Sequence, residues 1–158
     1  MFGFKGGTMK KILYIDMDNV LVDFPSAFPK IPKEIFEEYD GRPDEIPGIF
    51  SLMEPVPDAI DAFPKLALIY DTYILSTSPW ENPSAWSDKL NWVKTHLDAH
   101  AYKRLILSHH KNLNIGDYLI DDSIKNGADK FQGEHIHFGS TQFPNWQSVV
   151  DYLMKKKR

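Results

Sequence analysis

Three short aliphatic runs in this chain stop abruptly at oxygen-bearing side chains. Ile12–Ile15 runs into Asp16-Met17-Asp18, residues 72–76 into Thr77-Ser78, and residues 118–120 into Asp121-Asp122. Short apolar runs bounded by charge fit strands buried on both faces of a sheet. Segments of helical periodicity separate several of them, and alternation of strand and helix implies a parallel sheet with right-handed crossovers. Such sheets bind ligands beyond the carboxyl ends of their strands. All three polar pairs therefore fall on one edge, and alternation along the first strand points Asp16 and Asp18 to the same side.

The remaining pattern fills in the architecture. Further strands are predicted at 104–107 and 135–138. From Asp58 onward, Ala59, Ile60, Phe63, Leu66, Ala67 and Tyr70 recur at helical spacing, with Pro64 predicted to kink or split the helix. Trp86, Leu90, Val93 and Leu97 predict one apolar helical stripe. A helix is expected between the fourth and fifth strands, and residues 145–154 form a closing helix with Trp146, Val149, Val150 and Leu153 inward. Residues 24–57 differ in texture: prolines crowd them, interleaved with Phe24, Phe28, Phe36, Tyr39 and Phe50. Prolines stop long helices, so short pieces are expected, one of them near 32–39. The fold class is thus α/β: a three-layer Rossmann-like parallel sheet with a small, mostly helical cap inserted after the first strand. It is read as a single domain over residues 9–158, preceded by a disordered extension at 1–8, with Met9 as the natural start.

Composition narrows the chemistry. The 158 residues carry a net charge of −4, which argues against a polymeric nucleic-acid partner, and contain no cysteine, which removes thiol catalysis and thiolate metal sites. No apolar run approaches the ~20 residues of a membrane span, so a cytoplasmic protein without a membrane partner is expected; a homodimer is left open.

The residues gathered on the sheet edge form a set suited to phosphoryl transfer. Two carboxylates in one crevice repel unless a cation lies between them or one is protonated. Asp16 reads as a nucleophile able to form an aspartyl-phosphate, and Asp18 as the acid and base that protonates the leaving oxygen and activates water. Thr77 and Ser78 offer donors to a phosphate, and Lys111 offers a cation, in competition with Lys103 and Lys125. Asp16, the Asp18 backbone carbonyl and Asp121 read as an oxygen-only Mg²⁺ site, with Asp122 orienting a metal-bound water or Lys111. Phe24, Phe50 and Trp80 are candidates for a substrate pocket; packing within the cap is the competing role for the two phenylalanines. Asn19 and Asp23 divide between turn and substrate roles. His96 and His100 sit four residues apart without an evident third ligand. One of His109 and His110 is placed to touch the pocket, and His135 and His137 read as an edge-strand pattern.

In this order, Asp16-Met-Asp-Asn-Val, Thr77, Lys111 and Asp121-Asp122 resemble the haloacid dehalogenase superfamily of phosphatases. Within it, the chain resembles the 5′(3′)-deoxyribonucleotidase family of cytosolic type C, through Asp16 to Phe24, Gly48-Ile-Phe50 with Pro55-Val-Pro57, Leu75-Ser-Thr-Ser-Pro79, Ala85-Trp86, Trp92-Val93, Leu119-Ile-Asp-Asp122 and Phe143-Pro-Asn-Trp146. The resemblance implies a Mg²⁺-dependent phosphomonoesterase acting on nucleoside monophosphates, deoxyribonucleotides first, with the same residues in the roles above. Two departures bear on substrate: the interval from Asp16 to Thr77 is shorter than in vertebrate members, and Ser123 stands where relatives can carry an arginine. A sugar phosphate or other small phosphometabolite is the rival substrate class. A phospho-accepting signalling module is disfavoured, since in those the acidic pair precedes the accepting aspartate.

Overall fold

The computed structural model describes residues 9–157; the extension expected at 1–8 lies outside them. Five strands form one parallel sheet: β1 (Ile12–Ile15), β4 (Asp71–Ser76), β5 (Leu105–Leu107), β6 (Tyr118–Asp121) and β7 (Glu134–His137), in the order β5-β4-β1-β6-β7. β1 is central, so it pairs with β4 on one side and β6 on the other, with Ile15 opposite Ile74 and Ile120. The strand ends carrying Asp16, Thr77 and Asp121 are consequently immediate neighbours.

Alternation sorts the side chains to two faces. Leu13, Ile15, Ile74, Ile120 and Ile136 join a large core with the helices α2 (Ala59–Ala67), α3 (Pro83–His96) and α4 (Trp146–Lys157). Tyr14, Leu75 and Leu119 face the other way, onto Ala128 and Phe131. Here the structure corrects the expected helix between the fourth and fifth strands: the connection holds only a short 3₁₀ turn, Ala128–Lys130. The third layer is therefore thin, closed by that turn and by the edge-on packing of Tyr14 and Phe131. Its tightness shows at Gly133, where a Cβ would lie 2.5 Å from the carbonyl oxygens of Gly116 and Asp117.

Two helices differ from expectation. α2 continues through Pro64 without being split; Ala59, Ala62, Phe63 and Leu66 are buried along it and hold its register. On α3 the inward face is Ala85, Lys89, Trp92 and Val93, while Leu90 is 42% exposed. The face is rotated because it buries a lysine, which hydrophobic periodicity scores as solvent-facing.

Residues 24–57 break into short pieces: a 3₁₀ turn at Phe24–Lys30, α1 (Lys33–Glu38), two further 3₁₀ turns at Pro43–Glu45 and Ile49–Leu52, and β3 (Glu54–Pro55), which pairs antiparallel with β2 (Val22–Asp23). Phe24, Phe28, Phe36 and Phe50 pack on one another as its core. α3 grips the segment: Asn82 Nδ2 donates to the carbonyls of Asp44 and Ile46 (2.9 and 3.0 Å), and Trp92 Nε1 to that of Met53 (3.0 Å).

Trp146, buried on α4, donates Nε1–H to the Val20 carbonyl at 2.8 Å, tying the last helix to the loop that follows Asp18. Trp146→Phe keeps most of the apolar surface but strands that carbonyl. A loss of about 1–3 kcal/mol in unfolding free energy is expected by denaturant titration; an unchanged midpoint would show that water satisfies the carbonyl.

Candidate active site

The loop after β1 places the two first acids. Met17 accepts the backbone N–H groups of Val20, Leu21 and Val22 (3.1, 2.8 and 2.9 Å), closing a tight turn. Asn19 takes a left-handed conformation there (φ 60°), which asparagine tolerates better than most residues. The Asp16 N–H donates to the Ile120 carbonyl (2.9 Å), so Asp16 continues the ladder to β6 and lies beside Asp121.

Lys111 bridges the pair. It is buried in the 3₁₀ turn after β5, and its Nζ reaches Asp16 Oδ1 at 3.0 Å and Asp121 Oδ2 at 2.6 Å. Asp121 has no solvent exposure; its Oδ1 accepts the Ser123 N–H at 3.0 Å. Oxygens of Asp16, Asp121 and Asp122 all lie within 4.8 Å of one another, the one such cluster of three potential metal ligands among the described residues. Burial pushes the Asp16 carboxyl well above the usual range; Lys111 opposes this, and Asp121 and Asp18 add to it. Burial likewise raises Asp122. Burial alone would depress the Lys111 ammonium, but Asp16 and Asp121 outweigh it and hold it above its ordinary value.

A second buried cation stands behind Asp18, and the sequence reading missed it. Lys89, with no solvent exposure, donates to Asp18 Oδ2 (3.1 Å), Ser76 Oγ (2.9 Å) and the Thr77 carbonyl (2.7 Å), and lies 4.7 Å from the centre of the Phe50 ring. It thus joins α3, the end of β4, the first acidic turn and the cap segment at one point. The available signal was negative: a lysine at i, i+4 from Ala85 and i, i+3 before Trp92 interrupts an otherwise apolar face.

A cavity of about 460 Å³ opens on this edge, lined by Asp16, Asp18, Thr77, Lys111, Asp122 and Phe50 among others. Thr77 Oγ1 donates to the Ser108 carbonyl (2.7 Å). The hydroxyl of buried Ser78 and Asp18 Oδ1 have no hydrogen-bond partner among the described residues. The other candidates divide. Asn19, His109, Ser123 and Lys125 also line the cavity. Trp80 is 75% exposed and lies outside the lining; its ring packs beside His109. Phe24 is likewise outside the lining and packs against Phe28 and Phe50. Lys103 borders a separate groove beside β5. His96 packs against Trp92, and no histidine joins the cluster of potential metal ligands. Asp23 belongs to β2.

A central parallel strand ending in an acid pair, flanked by a threonine and by a second acid pair that a lysine links to the first, on a sheet with helices packed on one face, defines a hydrolase fold of the haloacid dehalogenase type. A haloacid dehalogenase-like hydrolase of Xanthomonas campestris shares it, with a TM-score of 0.56 at 9% identity over 96% of this chain and 99% of that one. The family model described as 5′ nucleotidase, deoxy (pyrimidine), cytosolic type C protein matches residues 44–156. A Vibrio phage KVP40 protein provisionally named a 5′(3′)-deoxyribonucleotidase is 57% identical over 96% of this chain and 89% of its own length. The human cytosolic-type 5′(3′)-deoxyribonucleotidase is 32% identical over 86% of this chain and 77% of its own. The chain belongs to this family, and is a phosphatase of the nucleotidase class. No helix among the described residues is long and apolar enough to cross a membrane.

Lys89→Met, close to isosteric, removes the donor that satisfies Ser76 Oγ and the Thr77 carbonyl. The orphaned acceptors are expected to lower unfolding free energy by about 1–3 kcal/mol in denaturant titration. A variant as stable as the wild type would reduce Lys89 to a space-filling role.

Proposed function

We propose that the chain is a Mg²⁺-dependent phosphomonoesterase that hydrolyses deoxyribonucleoside monophosphates through an aspartyl-phosphate on Asp16. The observation that supports this best is the convergence of Asp16, Asp121 and Asp122, with Lys111 bridging the first two and with Asp16, Lys111 and Asp122 lining the cavity. The named relatives support the substrate class.

The charges argue for a cation. Among the described residues, the ion pairs made by Asp16, Asp18 and Asp121 are to the ammonium groups of Lys89 and Lys111 alone, Asp122 makes none, and a phosphate dianion adds further negative charge. The donor set is oxygen only and includes a fully buried carboxylate, which fits magnesium retaining several waters. Asp16, Asp121 and the Asp18 carbonyl would hold it, with Asp122 alongside. A divalent ion held by these residues would offset the charge on the phosphoryl oxygens, so that an anionic carboxylate could approach phosphorus.

The chain's own groups then divide the work. Thr77 and Lys111, both on the cavity lining, bind and orient the phosphoryl group, whereas the sequence candidate Ser78 is fully buried outside that lining. Asp16 attacks phosphorus as the bond to the leaving oxygen breaks, and Asp18 delivers a proton to that oxygen. Water gives its proton to Asp18 as it attacks the aspartyl-phosphate, releasing inorganic phosphate and restoring the Asp16 carboxylate. Lys89 holds Asp18 in place through Oδ2. Phe50 offers an apolar surface on the cavity lining against which a nucleoside would pack.

Asp16→Asn is expected to cut turnover by about 10⁴-fold or more while leaving the thermal midpoint close to wild type; retained turnover would overturn the mechanism. Chelation should silence the enzyme and Mg²⁺ restore it. Across a panel of 5′- and 3′-deoxyribonucleotides and sugar phosphates, kcat/KM should be highest for a deoxyribonucleotide. A sugar phosphate far ahead of all nucleotides would remove the substrate assignment while leaving the chemistry standing.

A further inference from the structure

Two histidines on the edge strand β7 contact the backbone that carries the second acid pair. His135 Nε2 lies 3.1 Å from the Asp121 carbonyl and His137 Nε2 lies 3.0 Å from the Asp122 carbonyl. A carbonyl only accepts, so both imidazoles carry the proton on Nε2 and donate it. The rings lie nearly parallel, 11° apart with centroids at 5.7 Å. β7 pairs with β6 in register, Leu119 opposite His135 and Asp121 opposite His137, so each ring leans forward along the strand to reach its carbonyl.

The two bonded carbonyls belong to consecutive peptide planes that bracket the Asp122 Cα. A peptide unit is planar, so holding both oxygens restrains both planes and with them the direction in which the Asp122 Cα–Cβ bond leaves the backbone. The two contacts are not equivalent. The Asp121 carbonyl also accepts the Phe138 N–H (3.1 Å) as part of the ladder. Asp122 lies beyond the last residue of β6, and among the described residues His137 is the one hydrogen-bond donor to its carbonyl. The next peptide N–H, that of Ser123, holds Asp121 Oδ1, so a shift at Asp122 also reaches the Asp121 carboxylate.

We propose that His137, supported by the stacked His135, is a positioning residue for the cation site: it sets the backbone from which Asp121 and Asp122 project and so sets the site's affinity. This rests on the reading of Asp16 and Asp121, with Asp122 alongside, as that site. Groups that orient ligands from behind commonly alter metal affinity by about 10–100-fold when removed, and His137 reaches one residue past the last ladder pair to make its contact.

The test is Mn²⁺ binding to the chelator-treated, full-length protein by isothermal titration calorimetry, with thermal midpoints measured alongside. His137→Ala is expected to weaken Mn²⁺ by about 10-fold or more with little change in the cation-free midpoint. His137→Gln, whose amide N–H can donate from nearly the same place, should restore most of the affinity. His135→Ala should have the smaller effect, because Phe138 still holds the Asp121 carbonyl. Wild-type affinity in His137→Ala, or failure of His137→Gln to recover it, overturns the positioning role while leaving the cation site intact. Absence of Mn²⁺ binding in the wild type overturns the cation site itself and the positioning role with it.

Discussion

A buried lysine held between two carboxylates from adjacent strands is the interaction on which the rest of this structure turns. Lys111 contacts Asp16 and Asp121 in a place where a lone charge of either sign would be costly. Each partner is tolerable only because the others are present, and each comes from a different part of the sheet: the end of β1, the turn after β5 and the end of β6. The parallel order β5-β4-β1-β6 is what brings these ends to one edge. Moving β1 from the centre would leave Asp16 without Asp121 and both without Lys111. The fold and the charge cluster are therefore one constraint. The excess of negative charge it leaves is the physical reason for expecting a divalent ion.

Lys89 extends this cluster towards the cap segment. Its ammonium bonds Asp18 and the Thr77 carbonyl and lies over the Phe50 ring, so the first acidic turn, the end of β4 and the cap segment share one cation. Asn82 and Trp92 on the same side of the molecule fasten the cap segment through the carbonyls of Asp44, Ile46 and Met53. The cap is thus held to α3 by buried polar contacts as well as by its aromatic core. The cavity's walls are set mainly by the core, with Asp44 and Phe50 from the cap segment and Ser123, Lys125 and His109 contributed by the sheet-edge loops.

Much of this arrangement was legible in the residues, and the exceptions have physical causes. Strand ends are readable because an aliphatic run that stops at an acid leaves little choice of geometry, so Asp16, Asp18, Thr77, Lys111, Asp121 and Asp122 could be gathered on one edge before any coordinates. The inward face of α3 was not readable, because Lys89 is buried by partners distant in sequence and periodicity cannot see them. The thin third layer escaped for a related reason: Phe131 and Tyr14 close that face with two rings instead of a helix, and a single aromatic leaves no periodic trace. Trp80 looked like a pocket residue from its place after Thr77-Ser78, yet the chain turns it outward beside His109. The histidine pair on β7 read as ordinary edge-strand alternation, since hydrogen bonds to a neighbouring strand's carbonyls have no signature in composition.

The most direct test of the account is to catch phosphate on the protein. Enzyme in excess over a ³²P-labelled deoxyribonucleoside monophosphate, with Mg²⁺ and an acid quench within a single turnover, should yield a labelled peptide containing Asp16 whose label appears and then decays as inorganic phosphate is released. Hydrolysis with no labelled peptide at any quench time, or label on another residue, would contradict the role assigned to Asp16 and the division of labour built on it.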